Sequence, residues 1–470
     1  MRDTLVQMRL DPLSIDEVVA ATSGQLVAGR DVPIRGVSID SRALVPGELF
    51  VAILGPHFDG HEFIASAVAA GASAIVVARE APTPPGITVI RVTDTTRALA
   101  DMARERRRRA GIPVVAITGS TGKTTTKEMT AALLGAPESV LRNRGNLNNR
   151  YGLPLTLLAL ASQHTSAALE LGMSHAGELR ELTLIARPDV AVITNVSAAH
   201  LENFDTIADI ASAKAEILEG LPGRGTAILN YDDPELRRIG AAHEGHVVWF
   251  GRHRECDVSA EAWRGTIFGM RFQLRLGADS VDIALPLAGV HNVQNFLAAA
   301  AAAHNLGVTP TAIAARALDV RAADHRGRVI RLKRGITLLD DSYNSNPVAV
   351  TAAVAALNLA PEGRRVAVLG DMRELGPSAP ELHERCGAEI ASRVDLLVGV
   401  GELARGFIEG AQRVGFDSSS AHVFEDSAAA AAGIPNLIRA GDAVLVKGSR
   451  GLKTETIVAA LIADFGVVEE

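Results

Sequence analysis

The chain has 470 residues, 47% of them hydrophobic and 21% charged, with a formal net charge of −7. At about 150 residues per domain it is long enough for roughly three separately cored domains, and its composition excludes disordered, collagen-like and low-complexity chains. A negative net charge with only 12 Phe, 3 Tyr and 2 Trp argues against nucleic-acid binding, which needs a basic face and stacking platforms.

The opening MRDTLVQMRLDPLSIDE carries charges too early and too often for a signal peptide. No apolar run approaches the roughly 18 residues of a membrane span, so a cytoplasmic chain without membrane insertion is expected. Cys256 and Cys386 sit in no C-x-x-C or Cys/His cluster, which excludes a disulfide framework and a zinc site and fits a reducing compartment. Between residues 31 and 110, LFVAIL, HEFIASAVAAGA and SAIVVA follow the rhythm of a β-α-β unit. The run Arg106 to Arg109 closes this region and reads as a solvated helix end, where cations meet the negative end of the dipole. IPVVAI (112–117) reads as a buried parallel strand opening a second series, ALELGM, DVAVITNV and GTAILN, in a doubly wound sheet. That series ends at a close-packed alanine helix before Gly307. After RAADHRGR a third series begins with ITLLDD, RRVAVLGD, VDLLVGVG and DAVLVKGS. The fold class is therefore α/β, with domains over 1–110, 111–324 and 325–470.

The strongest chemical signal is ITGSTGKTTT (117–126), between the IPVVAI strand and the helical KEMTAALL. Gly119 and Gly122 let the backbone turn with its amides inward, the helix N-terminus adds positive potential, and Lys123 reaches the outer phosphates of a nucleotide. Thr124 is placed to ligate magnesium. Ile117 stands where the usual eight-residue loop has its first glycine, so a shorter loop is expected. No N-K-x-D run reads guanine, which favours ATP. Ser120, Thr121 and Thr125 complete the expected phosphate site.

Together with segments further along the chain, this loop resembles the Mur ligase family. The parts that match are TGSTGKTTT (118–126), ELGMSHAGEL (170–179), NVSAAHLENF (195–204), SAKAEIL (212–218), GVHNVQNFLAA (289–299), Gly327-Arg328, DDSYNSNP (340–347), LGDMRELG (369–376) and VKGSR (446–450). The resemblance implies three domains: one for a uridine-diphosphate precursor, a central phosphate-loop ATPase with a parallel sheet, and a Rossmann-like C-terminal domain closing on ATP. It also implies roles for single residues. Glu170 and His200 become magnesium contacts, and Lys123, His200 and Lys214 the catalytic residues. Lys214, on pattern alone a solvated helix lysine, becomes a carbamylated magnesium ligand, which requires a neutral amine and hence burial. Asn292 and Asn295, three apart beside His291 on one helix, would read adenine with their donor and acceptor edges. Arg328 and Asp341 would contact the phosphates and ribose.

The first domain distinguishes the members. Instead of a glycine-rich dinucleotide fingerprint, this chain has GVSIDSRALVPGELFVAILGPHFDGHEF (36–63), similar to the precursor domain of the two later ligases. Ser38, Ile39, Asp40, Ser41, Arg42 and His57 would lie near the uracil and diphosphate, although Ser41 and Arg42 can also simply form a turn. The absence of D-N-P-R, and the presence of DDSYNSNP, GNLNN (145–149) and LGDMRELG, resemble the member that uses ATP and Mg2+ to join D-alanyl-D-alanine to UDP-N-acetylmuramoyl-tripeptide through an acyl phosphate. Asn146, Asn149, Asn344, Asn346, Ser449 and Arg450 are then candidate substrate contacts, and a monomer is expected. Folylpolyglutamate synthetase, another Mur-type ligase, or a nucleotide-switched regulator that makes no bond are the competing readings.

Overall fold

The computed structural model describes residues 13–55, 58–80, 85–198 and 202–468. The chain forms two compact units, one of residues 1–117, 134–191 and 215–226, the other of residues 118–133, 192–214 and 227–470. Three sheets account for the strands. The first runs in the order Gln25–Ala28, Thr88–Arg91, Ala74–Val77, Leu49–Val51, Val37–Ser38, parallel except for its first strand. LFVAIL and SAIVVA supply its centre, as the β-α-β rhythm predicts, with the helix Ile64–Ala69 between them.

The second sheet has nine strands, ordered Asp279–Leu285, Gly269–Leu276, Val258–Thr266, His246–Gly251, Thr226–Asn230, Val190–Ile193, Val114–Thr118, Ser166–Glu170, Val140–Arg142. Its apolar runs are buried on both faces, as expected of strands sandwiched between helices. The three strands from Val258 to Leu285 form an antiparallel meander that a purely parallel reading does not anticipate. Buried Met270, Phe272, Leu274 and Leu276 alternate with the more exposed Arg271, Gln273 and Arg275. Such a two-residue period marks a strand with one wet face, and continuous apolar runs alone do not reveal it.

The third sheet runs Arg328–Arg331, Thr337–Asp341, Ala443–Lys447, Arg365–Gly370, Leu396–Val400, Ala421–Phe424, parallel except for its first strand. Successive residues of one strand enter opposite cores: Ala367 and Leu369 pack on one side, Val366 and Val368 on the other. Helices on both faces make this the expected doubly wound, Rossmann-like layer. Ile267, at the tip of the meander, is fully buried in the first of these cores, and its amide donates to the Leu359 carbonyl.

The arginine run differs from expectation. On the helix Thr95–Ala110, Arg107 is buried and donates to the carbonyls of Ala186 (3.0 Å) and Arg187 (3.2 Å) and to Asp189 (3.1 Å). Arg106 donates to the Leu160 carbonyl. The Arg107 guanidinium fills the role of a C-cap, because the last carbonyls of the helix Glu178–Ala186 have no intrahelical partner. Only Arg108 and Arg109 behave as the solvated end, paired with Glu105. Among the described residues no helix is long and apolar enough to cross a membrane.

Candidate active site

The buried strand Val114–Thr118 feeds the turn 119–122, and the helix Lys123–Leu134 begins at its end. Glycine is required twice. Gly119 has φ +149°, and a Cβ there would collide with Thr194 Oγ1; Gly122 has φ +79°, and a Cβ there would collide with Asn295 Oδ1. Asn195 braces the loop. Its carbonyl accepts from the Ser120 amide (2.9 Å), its Oδ1 from the Thr121 amide (3.0 Å), and its Nδ2 donates to Thr121 Oγ1 (2.8 Å). Ser120 Oγ donates to the Ser197 carbonyl (3.1 Å), and Thr194 Oγ1 donates to the Thr121 carbonyl (2.6 Å). Two of the amides expected to face the phosphates are therefore held by Asn195. The Lys123 ammonium lies back over the turn, donating to the carbonyls of Gly119 (2.7 Å) and Ser120 (3.4 Å). Thr124 is buried and Thr125 half-buried at the same helix start.

Lys214 lies on the helix Ile207–Ala215 with 1% of its surface exposed, not on a solvated face. Burial, and secondarily the Lys123 ammonium, push its amine well below the usual lysine range. Asn292 and Asn295 are both buried on the helix Val290–Asn305. Asn292 Nδ2 donates to the Ala288 carbonyl (2.8 Å), and Asn295 Nδ2 to Asn292 Oδ1 (3.3 Å). His291, at the start of this helix, has its imidazole pushed down by burial, pulled up by the Asp341 carboxylate and depressed further by Lys447. Asp341 and Lys447 thus lie within electrostatic reach of His291, which precedes Asn292 in the chain.

Glu170 ends the buried strand Ser166–Glu170. The GNLNN segment points to Asn146 and Asn149, yet both are exposed, and Asn149 Oδ1 accepts from the amides of Tyr151 and Gly152 at the start of a helix. Asn148 is the residue that reaches Glu170, with Nδ2 2.9 Å from Oε1. Asn143, fully buried and outside that motif, bonds the Glu170 backbone.

In the C-terminal sheet, Asp341 pairs with the buried Lys447 ammonium (2.6 Å), which also donates to the Asn344 carbonyl (2.9 Å). Arg328 is exposed at the start of its strand. Asn346 caps the helix Pro347–Leu357 through the Ala349 amide. Asn344 is exposed, and Ser345 Oγ between them is buried with no hydrogen-bond partner among the described residues. Ser449 Oγ accepts from the Arg373 amide (2.9 Å), tying VKGSR to LGDMRELG. Arg450 pairs with Glu455 and lies 5.6 Å from the Tyr343 ring centre. The same LGDMRELG loop is pinned by His383, whose Nε2 accepts from the Met372 amide (2.9 Å) while Nδ1 faces the Ala379 carbonyl (2.6 Å). That arrangement needs a neutral ring, and burial pushes the imidazole down. A depressed histidine contributes stability that is complete above its unfolded value of about 6.5 and declines as pH falls below it. Urea midpoints are expected to drop between pH 7 and pH 5, and to drop less in His383→Leu; equal drops would exclude His383 as a source.

In the N-terminal sheet, residues 41–43 form a turn. Asp40 accepts from the Arg42 amide and guanidinium, and those bonds hold its carboxyl down at about 2. Ser38 Oγ donates to the Asp40 carbonyl (3.0 Å); Ile39 and Ser41 are half-buried beside it. His57 and His200 lie outside the described residues.

Three family descriptions match the chain in order: "Mur ligase family, catalytic domain" over residues 33–107, "Mur ligase middle domain" over 117–303, and "Mur ligase, glutamate ligase domain" over 325–450. The chain belongs to the Mur ligase family. Among its relatives, the UDP-N-acetylmuramoyl-tripeptide–D-alanyl-D-alanine ligase of Escherichia coli is 38% identical over 96% of this chain and 98% of its own length. The Bacillus subtilis protein of the same name is 36% identical over 91% and 93%. A crystal structure of MurF from Acinetobacter baumannii superposes with a TM-score of 0.89 at 34% identity, covering 97% of this chain and all of that one. MurF from Thermotoga maritima, solved in complex with ADP, gives 0.80 at 29% identity over 91% and 97%. This Mur ligase thus has the N-terminal, middle and C-terminal domains of its family.

Its phosphate turn also fits the nucleotide on its own geometry: two glycines press against Thr194 and Asn295, a lysine lies over the carbonyls, and a helix begins there. Of the proposed magnesium donors, Thr124, Glu170 and Lys214 bring a hydroxyl, a carboxylate and an amine, and the fourth, His200, lies outside the described residues. Among the described residues no group of three or more His, Cys, Asp or Glu side chains is gathered for a metal.

Proposed function

We propose that this Mur ligase joins D-alanyl-D-alanine to UDP-N-acetylmuramoyl-tripeptide at the expense of ATP, in cytoplasmic peptidoglycan precursor synthesis. The observation that carries the reading is the braced Gly119–Lys123 turn within a chain that matches such ligases along nearly its whole length. Bound ATP with Mg2+ would supply the phosphoryl group that turns the tripeptide carboxylate into an acyl phosphate with release of ADP, and attack by the dipeptide amine would form the amide and expel phosphate. The protein's part is orientation and charge. Lys123 and the first turn of its helix receive the phosphate charge, since the amides of Ser120 and Thr121 are engaged by Asn195. Thr124, Glu170, His200 and Lys214 as a carbamate hold the metal. Asn292 and Asn295 hold adenine, and Asp341 with Arg328 takes the ribose and phosphate side. Ser38 to Arg42 and His57 belong to the uridine-diphosphate end.

The sequence candidates for the peptide substrates, Asn146, Asn149, Asn344, Asn346, Ser449 and Arg450, keep that role. Asn346 caps a helix and Asn149 starts one, so both also hold the backbone that carries their neighbours. The direct test is ADP release by the purified protein with ATP, UDP-N-acetylmuramoyl-tripeptide and D-alanyl-D-alanine. Turnover is expected only when both peptide substrates are present. Turnover indifferent to either, or supported by folate and glutamate instead, would reject the assignment.

A further inference from the structure

We infer that Asn148 is a positioning residue for the Glu170 carboxylate, a role that rests on the reading of Glu170 as a magnesium ligand. Two asparagines of one short segment hold Glu170 at its two ends. Asn143 takes the backbone: Glu170 N donates to its Oδ1 (2.9 Å), and its Nδ2 donates to the Glu170 carbonyl (2.8 Å) and to the Leu147 carbonyl (3.0 Å). The side-chain amide thereby continues the ladder one residue beyond the end of the strand Val140–Arg142. Asn148 takes the side chain, donating from Nδ2 to Glu170 Oε1 at 2.9 Å.

Asn148 is itself fixed. Its carbonyl accepts from the Gly172 amide (2.9 Å) and its amide donates to the Asn146 carbonyl (2.8 Å). The Asn148 amide lies directly over Gly172, where a Cβ would come within 3.0 Å of it. The glycine two residues past Glu170 thus leaves room for the amide that orients it.

The chemistry favours an amide in this place. A lysine or arginine would also orient the carboxylate, but would offset the charge that a hard cation needs. A neutral N–H fixes the torsion and leaves the charge, as the outer partners of metal-bound carboxylates do.

The test uses the full-length protein with ADP and Mn2+, the free ion being followed by its paramagnetic resonance signal. In Asn148→Ala, Mn2+ affinity is expected to fall about tenfold or more, while ADP affinity in EDTA and the metal-free melting temperature stay close to the parent's. The Mg2+ concentration for half-maximal ADP formation should rise by a similar factor, with a smaller change in the rate at saturating metal. Asn148→Ser, which keeps a short donor, should fall between the two and serves if the alanine variant does not fold. Parent-like Mn2+ affinity in both variants, alongside its loss in Glu170→Gln, overturns the positioning role and leaves the Glu170 reading standing. Parent-like affinity in Glu170→Gln overturns that reading and this inference with it.

Discussion

Lys123→Ala is expected to abolish measurable ADP formation while the protein melts close to the parent temperature. The two halves of that expectation have different origins. In the resting turn the ammonium donates to the Gly119 and Ser120 carbonyls, and hydrogen bonds of a partly exposed charged group contribute about 1–3 kcal/mol at most. The turn has its own frame in Asn195, Thr194 and the Ser120–Ser197 bonds, so the alanine variant keeps its shape. Catalysis has no such reserve. A phosphoryl group in transfer spreads negative charge over its oxygens, and a preorganised cation there is worth about 10³-fold or more in rate. Nucleotide affinity should weaken far less than turnover. A variant that releases ADP at a tenth of the parent rate or faster would remove the loop from the reaction.

The sequence disclosed those features whose cause is local. A buried strand running into Gly-Ser-Thr-Gly-Lys and a helix is specified within a dozen residues, so the turn was legible. Its brace was not: Asn195 stands 74 residues beyond Thr121 and meets it only because two strands end at the same edge. The asparagines near Glu170 show the same division. The segment GNLNN signals a polar loop, but which amide faces the acid depends on how the chain leaves Val140–Arg142. The loop gives the contact to Asn148, and turns Asn146 and Asn149 outward. Arg107 is a further case, since its partners are the carbonyl ends of a helix some 80 residues away. The meander was legible in principle, through the alternation from Met270 to Leu276.

Lys214→Ala is expected to lose ADP formation by about 10²-fold or more, a loss typical of a disrupted metal site, and to regain part of it with short carboxylic acids such as acetate or propionate. The proposed magnesium site is short of anionic oxygen. A magnesium ion in an enzyme site takes oxygen ligands, and the described donors proposed for it include only one carboxylate, Glu170. A buried lysine beside Lys123 makes that deficit worse if it stays an amine. It repairs the deficit if its nitrogen adds to carbon dioxide and loses a proton, because the product is an anion with two oxygens. The first requirement is an unprotonated amine, and burial of Lys214, with the Lys123 ammonium nearby, pushes its amine in that direction. Truncation to alanine opens room where the aliphatic stem lay, and a small carboxylate can place its oxygens where the carbamate stood. The parent protein should lose activity when dissolved carbon dioxide is stripped and recover with bicarbonate, whereas Lys214→Ala should ignore bicarbonate and answer to acetate. A fully active alanine variant would return Lys214 to the ordinary interior of its helix, and an inactive one that no carboxylate rescues would make its role one of packing.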